Sequence, residues 1–263
     1  MTLRYGVSAF NTATTSTNKI HDDAVAQQYG FRGGLVPGVD VYAYMTRAPV
    51  AHWGIDFLRN GWMTARFAQP VYDGEQVTVV GRSEGDTMLL ELAGPDEVVR
   101  ATGRASLTPP ATDPVVPPEA PLPDPRPTAS ALSLRPGTVL GSIADEFDAL
   151  RARDYLAAVR EDLAIYTDGP YAHPGWLLRF ANSILVANVV LGPWIHVASD
   201  VALLGVVGSG QAIDVHGAVV DEYERKGHRF VELDVVILAE GDVVQRIHHT
   251  AIHTPRRLTH SVG

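Results

Sequence analysis

Apolar and polar residues follow each other along the chain in two successive series of the same kind. Each series begins with a short alternating stretch, continues into a long apolar stretch with helical spacing, and ends in several further alternating stretches. In the first series the spacing predicts a strand from Leu3 to Phe10 and a helix from Val39 to Ala48, with Pro49 placed to end or kink it. Four strands are predicted next, at 62–71, 76–81, 87–93 and 98–107.

The second series repeats this order. A strand from Val139 to Phe147 precedes a helical run from Asp148 to Asp162 and an apolar helix from Trp176 to Leu191. Its further strands are predicted at 195–207, 211–223, 230–239 and 243–254. A Pro-Gly pair opens the apolar helix of each series, at 37–38 and at 174–175. We interpret the series as a tandem repeat of an α+β unit, an antiparallel sheet around one central helix.

A stretch with nine prolines separates the two series, between residues 108 and 135. Its composition predicts an extended linker without a core of its own. The predicted division is therefore 1–108 for the first unit, 109–136 for the linker, 137–257 for the second unit and 258–263 for a tail. Because a lone curved sheet leaves an open edge and an uncovered face, we expect the two units to pair side by side as an intramolecular dimer.

Composition and charge limit the classes of molecule to which the protein can bind. The 263 residues include 46% hydrophobic and 19% charged residues, as in ordinary globular proteins, and the net charge is −9. Such an acidic balance argues against nucleic acid and anionic membrane surfaces as partners. The chain has no cysteine, which excludes disulfides and thiolate metal sites. The start lacks the apolar run of a signal peptide, and the most apolar window carries Arg179, Asn182 and Asn188, so a cytoplasmic protein without membrane spans is expected.

The candidate chemistry lies before the first central helix. Asn18, His21 and Asp23 place an imidazole beside a carboxamide and a carboxylate, and the segment 30–38, with four glycines and one proline, must be irregular. A protonatable ring close to free backbone N–H groups is what a lyase acting on an activated carbonyl requires. The same residues are also typical of a capped helix followed by a tight turn.

These residues resemble the MaoC-like, or R-specific enoyl-CoA hydratase, branch of the hotdog fold. The hydratase motif of that family runs Asp, any residue, Asn, two residues, His, any residue, Asp, and its central helix begins with His-Gly-Met. Asn18, His21 and Asp23 are in register with the first motif, and Gly38 with the glycine of the second. The resemblance implies a double hotdog fold, and a single site carried by the first unit and walled by the second.

Two positions depart from the family. Ser16 stands where the family has its catalytic Asp, and Pro37 stands where it has the His of His-Gly-Met. A hydroxyl can orient water but cannot accept its proton near neutral pH. The second unit has His173-Pro174-Gly175 at the corresponding loop, without an Asn-x-x-His-x-Asp motif before its helix.

The resemblance implies a hydro-lyase that hydrates or dehydrates an acyl thioester or a related α,β-unsaturated carbonyl compound. His21 would be the acid/base, and Ser16 and Asn18 would order the water. Gly38, through its amide, together with Asp23 and Gly34, would bind the substrate. Nearby helix N–H groups would lower the pKa of His21 while Asp22 and Asp23 would raise it.

Two alternatives stay open: a thioesterase on the same fold, and a non-catalytic acyl-binding module, which the serine at position 16 favours. The ligand can be an acyl-CoA, a carrier-bound acyl group or a free enone, no cofactor is expected, and a further homodimer is left open. Trp194, His196 and Ser199 can line a pocket or pack in the core. His249 and His253 share a strand face about 13 Å apart, too far for one ion, so no metal site is expected.

Overall fold

The first half of the computed structural model contains the elements that the alternating pattern predicts. The structure describes residues 1–110, 115–169 and 171–256. A short 3-10 helix, Lys19–His21, follows the first strand. The helices and strands of this half are β1 (Thr2–Ser8), α1 (Asp23–Gln27), α2 (Gly38–Trp53), α3 (Ile55–Asn60), β2 (Trp62–Phe67), β3 (Gln76–Glu84), β4 (Thr87–Ala93) and β5 (Val99–Ser106).

The second half has the same order of elements, with longer strands. These are β6 (Val139–Glu146), α4 (Ala149–Ala158), α5 (Ala164–Thr167), α6 (Pro174–Asn188), β7 (Ile195–Leu203), β8 (Ala212–Arg225), β9 (His228–Ala239) and β10 (Asp242–Thr254). The predicted tail, 258–263, and residue 257 of the predicted second unit lie outside the described residues, as do residues 111–114 of the linker.

All ten described strands form one antiparallel sheet in the order β1-β3-β4-β5-β2-β7-β10-β9-β8-β6. The order is symmetric about its centre, where β2 pairs with β7 and Thr64 lies opposite Asp200. Each strand of the first half therefore has a counterpart at the mirrored place in the second. This arrangement confirms the predicted tandem α+β architecture.

The two central helices lie side by side against this sheet. Helix α2 contacts all five strands of its own half and also β7, whereas α6 contacts β6, β8, β9 and β10. One hydrophobic core includes buried side chains from both halves, among them Tyr42 and Met45 of α2 and Ile184 of α6. The helices approach closely at Gly175, where a Cβ atom would lie 2.8 Å from the Cβ of Ala43. The site described below is therefore built on a single rigid core.

The structure corrects the predicted end of the first central helix. Helix α2 continues through Pro49 to Trp53 and ends at Gly54, which has a φ of 61°. A proline inside a helix costs about 3 kcal/mol through its lost hydrogen bond and its clash with the preceding turn. Residues from Val39 to Val50 are almost all buried, and burying each large apolar side chain contributes about 1.5–3 kcal/mol, so packing outweighs that cost.

Pairing of the two halves does not remove every sheet edge, contrary to our expectation. Strands β1 and β6 remain at the two ends of the sheet. The linker covers part of the β6 edge, because the amide of Ser142 donates to the carbonyl oxygen of Ala120 at 2.8 Å. Further along the linker, Leu134 is fully buried in the common core. The linker is thus packed against the second half and protects an edge that would otherwise pair with another chain.

Candidate active site between the two halves

The segment before α1 is fixed to the second half by one carboxamide. Asn18 caps the short 3-10 helix, accepting from the amide of Ile20. Its Nδ2 also donates to the carbonyl oxygen of Trp194 at 3.0 Å, and its Oδ1 accepts from the amide of Trp194 at 3.1 Å. This reciprocal pair of hydrogen bonds joins the two halves beside His21.

The tautomer of His21 follows from its two ring contacts. Nδ1 lies 2.7 Å from the carbonyl oxygen of Leu35, which can only accept, so Nδ1 carries the proton. Nε2 is left with a lone pair and a weak contact of 3.3 Å to Asn18 Nδ2. Burial lowers the pKa of His21, while the Leu35 carbonyl and the Asp40 carboxylate oppose that shift. The imidazole is therefore neutral at neutral pH, with Nε2 available as a base.

The groups that shift the pKa of His21 differ from the helix N–H groups and the two neighbouring aspartates that we predicted. Burial is the largest cause, and the carboxylate that raises the pKa is Asp40 on α2, not Asp22 or Asp23. The Asp22 side chain caps α1 by accepting from the amide of Val25. The carboxylate that raises the pKa of His21 therefore belongs to the first turn of α2, and not to the residues that follow His21 in the sequence.

Asp23 and Gly34 bind each other. Asp23 Oδ1 accepts from the amide of Gly34 at 2.7 Å, and a Cβ atom on Gly34 would collide with the backbone of His21. Neither residue lines the cavities described below. They hold the glycine loop against His21, where the Leu35 carbonyl oxygen lies 2.7 Å from His21 Nδ1. In this structure they contact each other, and their role in substrate binding stays a prediction.

Gly38 is the first residue of α2 and faces the second half. A Cβ atom at this position would lie 2.7 Å from His196 Nδ1 and 3.2 Å from the ring of Phe67. Within the described parts of the chain, the Gly38 amide has no hydrogen-bond acceptor, as is usual in the first turn of a helix. An oxygen atom of a ligand can therefore bind there, assisted by the helix dipole.

Two cavities meet at His21. We call the first the inner cavity; it has a volume of about 240 Å³ and mostly apolar walls. Its walls include Phe31, Val41, Phe67, Val71, Ile195 and Ile252, and Gly38 also faces it. We call the second the outer cavity; it has a volume of about 310 Å³ and is rich in hydroxyl groups. Its polar walls include Thr12, Thr15, Ser16, Thr17, Arg179 and Ser183. Asn18, His21 and Asn182 line both.

Of the predicted water-ordering residues, Ser16 lines only the outer cavity. Its hydroxyl oxygen accepts from the amide of Asn18 at 3.1 Å. The hydroxyl proton stays available to a ligand or a water molecule on the same side of His21. Ser16 thus lies close to the imidazole segment without a group that can take up a proton.

The second half contributes residues that motif reasoning missed. Asn182 of α6 lines both cavities, and its Oδ1 is buried without a hydrogen-bond partner. Arg179 lies one turn earlier on the same helix and lines the outer cavity. The signal was present in the sequence, because Arg179, Asn182 and Ser183 recur at helical spacing in an otherwise apolar segment and so share a face.

Of the three other candidate residues in the second half, two line a cavity and one is packed in the core. Trp194 and His196 line the inner cavity, whereas Ser199 does not. Ser199 instead bridges His196 Nε2, at 2.8 Å, and His249 Nδ1, at 3.1 Å, behind the cavity wall. Burial lowers the pKa of His196 to about 3, so this ring is a neutral wall residue.

No group of three or more His, Cys, Asp or Glu side chains is placed to hold a metal ion within residues 1–110, 115–169 and 171–256. Over the same residues, no helix combines the length and the apolar character needed to cross a bilayer.

Comparison with known proteins identifies the architecture. No protein-family model matches the sequence, and no curated protein matches it. A solved MaoC-like dehydratase superimposes with a TM-score of 0.62 at 12% identity, covering 95% of this chain and 97% of its own. RV0216 from Mycobacterium tuberculosis, which has a double hotdog fold, superimposes with a TM-score of 0.63 at 13% identity, covering 96% and 95%.

This chain has a double hotdog fold. A protein assigned as an oleoyl thioesterase, from Lactobacillus plantarum, superimposes with a TM-score of 0.56 at 10% identity, covering 98% of each chain. Proteins named as a dehydratase and as a thioesterase therefore both occur among the solved structures that resemble this chain. At these identities the likeness gives the fold, and the reaction has to be argued from the cavities.

Proposed function

We propose that this protein is a hydro-lyase that adds water to an α,β-unsaturated acyl thioester, or removes it in the reverse direction. The observation that carries the proposal is the His21 imidazole, held neutral with its lone pair on Nε2 where two cavities meet. The Gly38 amide, in the wall of the inner cavity, is the oxyanion donor.

The reaction follows from these groups. His21 Nε2 takes a proton from water while the water oxygen bonds to the β-carbon. The electron pair of the double bond moves toward the thioester carbonyl, whose oxygen gains negative charge beside the Gly38 amide. The protonated imidazole then returns the proton to the α-carbon, so one residue serves as base and as acid. Ser16 orients the water, Asn18 fixes the position of the imidazole through its contact with Nε2, and Asp23 and Gly34 keep His21 and Leu35 in place.

A thioesterase is the second candidate, because the same groups serve it. If the thioester carbonyl is held at Gly38, a water molecule activated by His21 can attack that carbon instead of the β-carbon. The proteins of similar fold include both types of enzyme.

Product analysis separates the two reactions. With crotonyl thioester of N-acetylcysteamine as the substrate, hydration predicts loss of the enoyl absorbance without release of free thiol. Release of thiol at the same rate as the absorbance changes would contradict hydration and support hydrolysis. A saturated butyryl thioester is the matched control, since it can be hydrolysed but not hydrated.

Restoring the family carboxylate is expected to raise hydration. Ser16→Asp places a proton acceptor in the outer cavity, next to the segment that carries His21. A second acid/base group contributes about 10²–10⁴ in rate when it is well placed. We expect kcat for crotonyl thioester hydration to rise by about tenfold or more. Ser16→Asn is the control, because it has a similar size without a basic oxygen. Unchanged turnover in Ser16→Asp with the ligand still bound would favour the acyl-binding module.

A further inference from the structure

The outer cavity contains a positive charge in a protein that is acidic as a whole. Arg179 lies in its wall, and the wall contains no aspartate or glutamate among the described residues. The net charge of the chain is −9. The charge of Arg179 is balanced by the buried Asp40 behind it, and the guanidinium itself lies at the cavity wall. The remaining polar wall groups are hydroxyls, carboxamides and the neutral His21. Such a wall offers a guanidinium donor, the group that binds carboxylates best in proteins.

The Arg179 guanidinium is held in place from behind. Its Nη2 donates at 2.8 Å to Oδ1 of Asp40, a side chain that is fully buried, and at 2.9 Å to Thr12 Oγ1. Its plane lies over the ring of Tyr155, 4.4 Å from the ring centre. The other terminal nitrogen, Nη1, has no hydrogen bond to the described residues. A guanidinium fixed in this way keeps one donor edge for a ligand and loses little freedom when the ligand binds.

Asn182 supplies a second polar group at the same place. It lies one turn after Arg179 and borders both cavities, so it lies next to any ligand that passes His21. Its Oδ1 is buried without a hydrogen-bond partner. This oxygen can only accept, so the group of Asn182 that can donate to an anionic ligand is Nδ2 of the same carboxamide. A ligand that reaches from one cavity into the other meets this group.

The positions of Gly38, His21 and Arg179 along the two cavities determine which part of a bound substrate lies beside Arg179. Gly38 borders the inner cavity, His21 borders both, and Arg179 borders the outer cavity. A substrate with its carbonyl at Gly38 and its β-carbon at His21 would extend its next carbons into the outer cavity. The phosphate of a carrier arm is attached many bonds away, on the other side of the thioester. A charge at Arg179 therefore belongs to the acyl part.

We propose that the outer cavity binds a carboxylate on the acyl part of the substrate, with Arg179 as its charged partner and Asn182 beside it. The substrate class is then a monothioester of a short unsaturated dicarboxylic acid. This inference rests on the proposed function, because it uses the placement of the carbonyl at Gly38.

Binding of saturated analogues tests the inference without any turnover. Succinyl and butyryl thioesters of N-acetylcysteamine differ in the terminal carboxylate, and their affinities for the full chain can be measured by calorimetry. We expect the succinyl thioester to bind about 10–100-fold more tightly, as for a hydrogen bond to a charged group. Equal affinities would overturn the proposal.

The variant that removes the charge must not leave Asp40 buried and unpaired. Arg179→Gln combined with Asp40→Asn keeps a neutral, hydrogen-bonding pair at the same place. We expect this double variant to lose the preference for the succinyl thioester. The matched control is Arg47→Gln with Glu161→Gln, which removes another ion pair between α2 and the second half, away from both cavities. It should keep the preference; retention of the preference in the first double variant would overturn the proposal.

A third ligand separates the two sources of negative charge. Butyryl phosphopantetheine carries its anionic group on the carrier arm only. A gain in affinity with this ligand that depends on Arg179, without a gain for the succinyl thioester, would assign the arginine to the carrier arm and overturn the carboxylate site. A carboxylate preference in a protein that hydrates no enoyl thioester would support the site and contradict only the proposed reaction.

Discussion

His21→Ala is expected to lower kcat/KM for hydration of a crotonyl thioester by about 10²–10⁴, the usual contribution of a general acid/base. The effect should fall mainly on kcat, because the imidazole acts on the reacting water and on the α-carbon. The thioester carbonyl would still be held at the Gly38 amide. The measurement is the initial rate of loss of enoyl absorbance across a range of substrate concentrations.

Two controls separate chemistry from folding in this variant. His52→Ala removes a histidine near the far end of α2, outside both cavities, and should leave the rate unchanged. The affinity of His21→Ala for the saturated butyryl thioester should stay within a few-fold of the wild-type value. If His21→Ala turned over every accepted enoyl substrate at the wild-type rate, the proposed chemistry would be wrong.

Mild acid is expected to destabilise the protein through histidines buried in neutral form. Burial lowers the pKa of both His173 and His196 to about 3, while an unfolded histidine has a pKa near 6.5. Between these values the unfolded state binds protons that the folded state does not, so stability is present above pH 6.5 and is lost as the pH falls. Each residue should remove about 2 kcal/mol from the free energy of unfolding by pH 5, a large part of the usual 5–15 kcal/mol.

Denaturant unfolding between pH 7.5 and pH 5 measures this loss in the free energy of unfolding. Most carboxylates titrate below this range. His173→Asn is the informative variant. His173 Nδ1 accepts from the Gly175 amide at 3.0 Å as the N-cap of α6, and an asparagine oxygen can take over that bond. We expect this variant to show a smaller pH slope and near-wild-type stability at pH 7.5. Burial raises the pKa of Glu161, which partly opposes the effect. An unchanged slope would contradict the assignment to His173.

Hydrophobic periodicity predicted the fold well because each unit of this protein has a distinct pattern. An apolar helix bounded by Pro-Gly, followed by short alternating strands, leaves few other architectures. The strands at 87–93 and 139–147 are reproduced to within one residue. Packing decided the points where the prediction was wrong. Pro49 stays inside α2 because its surroundings are buried, and the packed linker, not the pairing of the halves, covers part of the β6 edge.

The candidate site was predictable only where its residues are neighbours in the chain. Asn18 and His21 lie together as the motif register indicated, and Gly38 faces the same cavity. The helical spacing of Arg179 and Asn182 marks a polar face on α6, but spacing within one segment does not say that this face lies opposite His21. In the sequence analysis these two residues serve only as polar positions that argue against a membrane span. No sequence motif marks Asp40, although it fixes Arg179 and raises the pKa of His21 against the effect of burial.

The reciprocal hydrogen bonds between Asn18 and Trp194 have a consequence for dissecting this protein. A fragment ending at residue 108 would retain the whole hydratase-like motif but would lose the backbone that holds Asn18. It would also lose the wall formed by α6 and β7, so its imidazole would face bulk water. Truncated and chimaeric forms should therefore keep residues 1–256 together. A fragment selected for its motif alone would contain the motif residues without the second wall of the cavity.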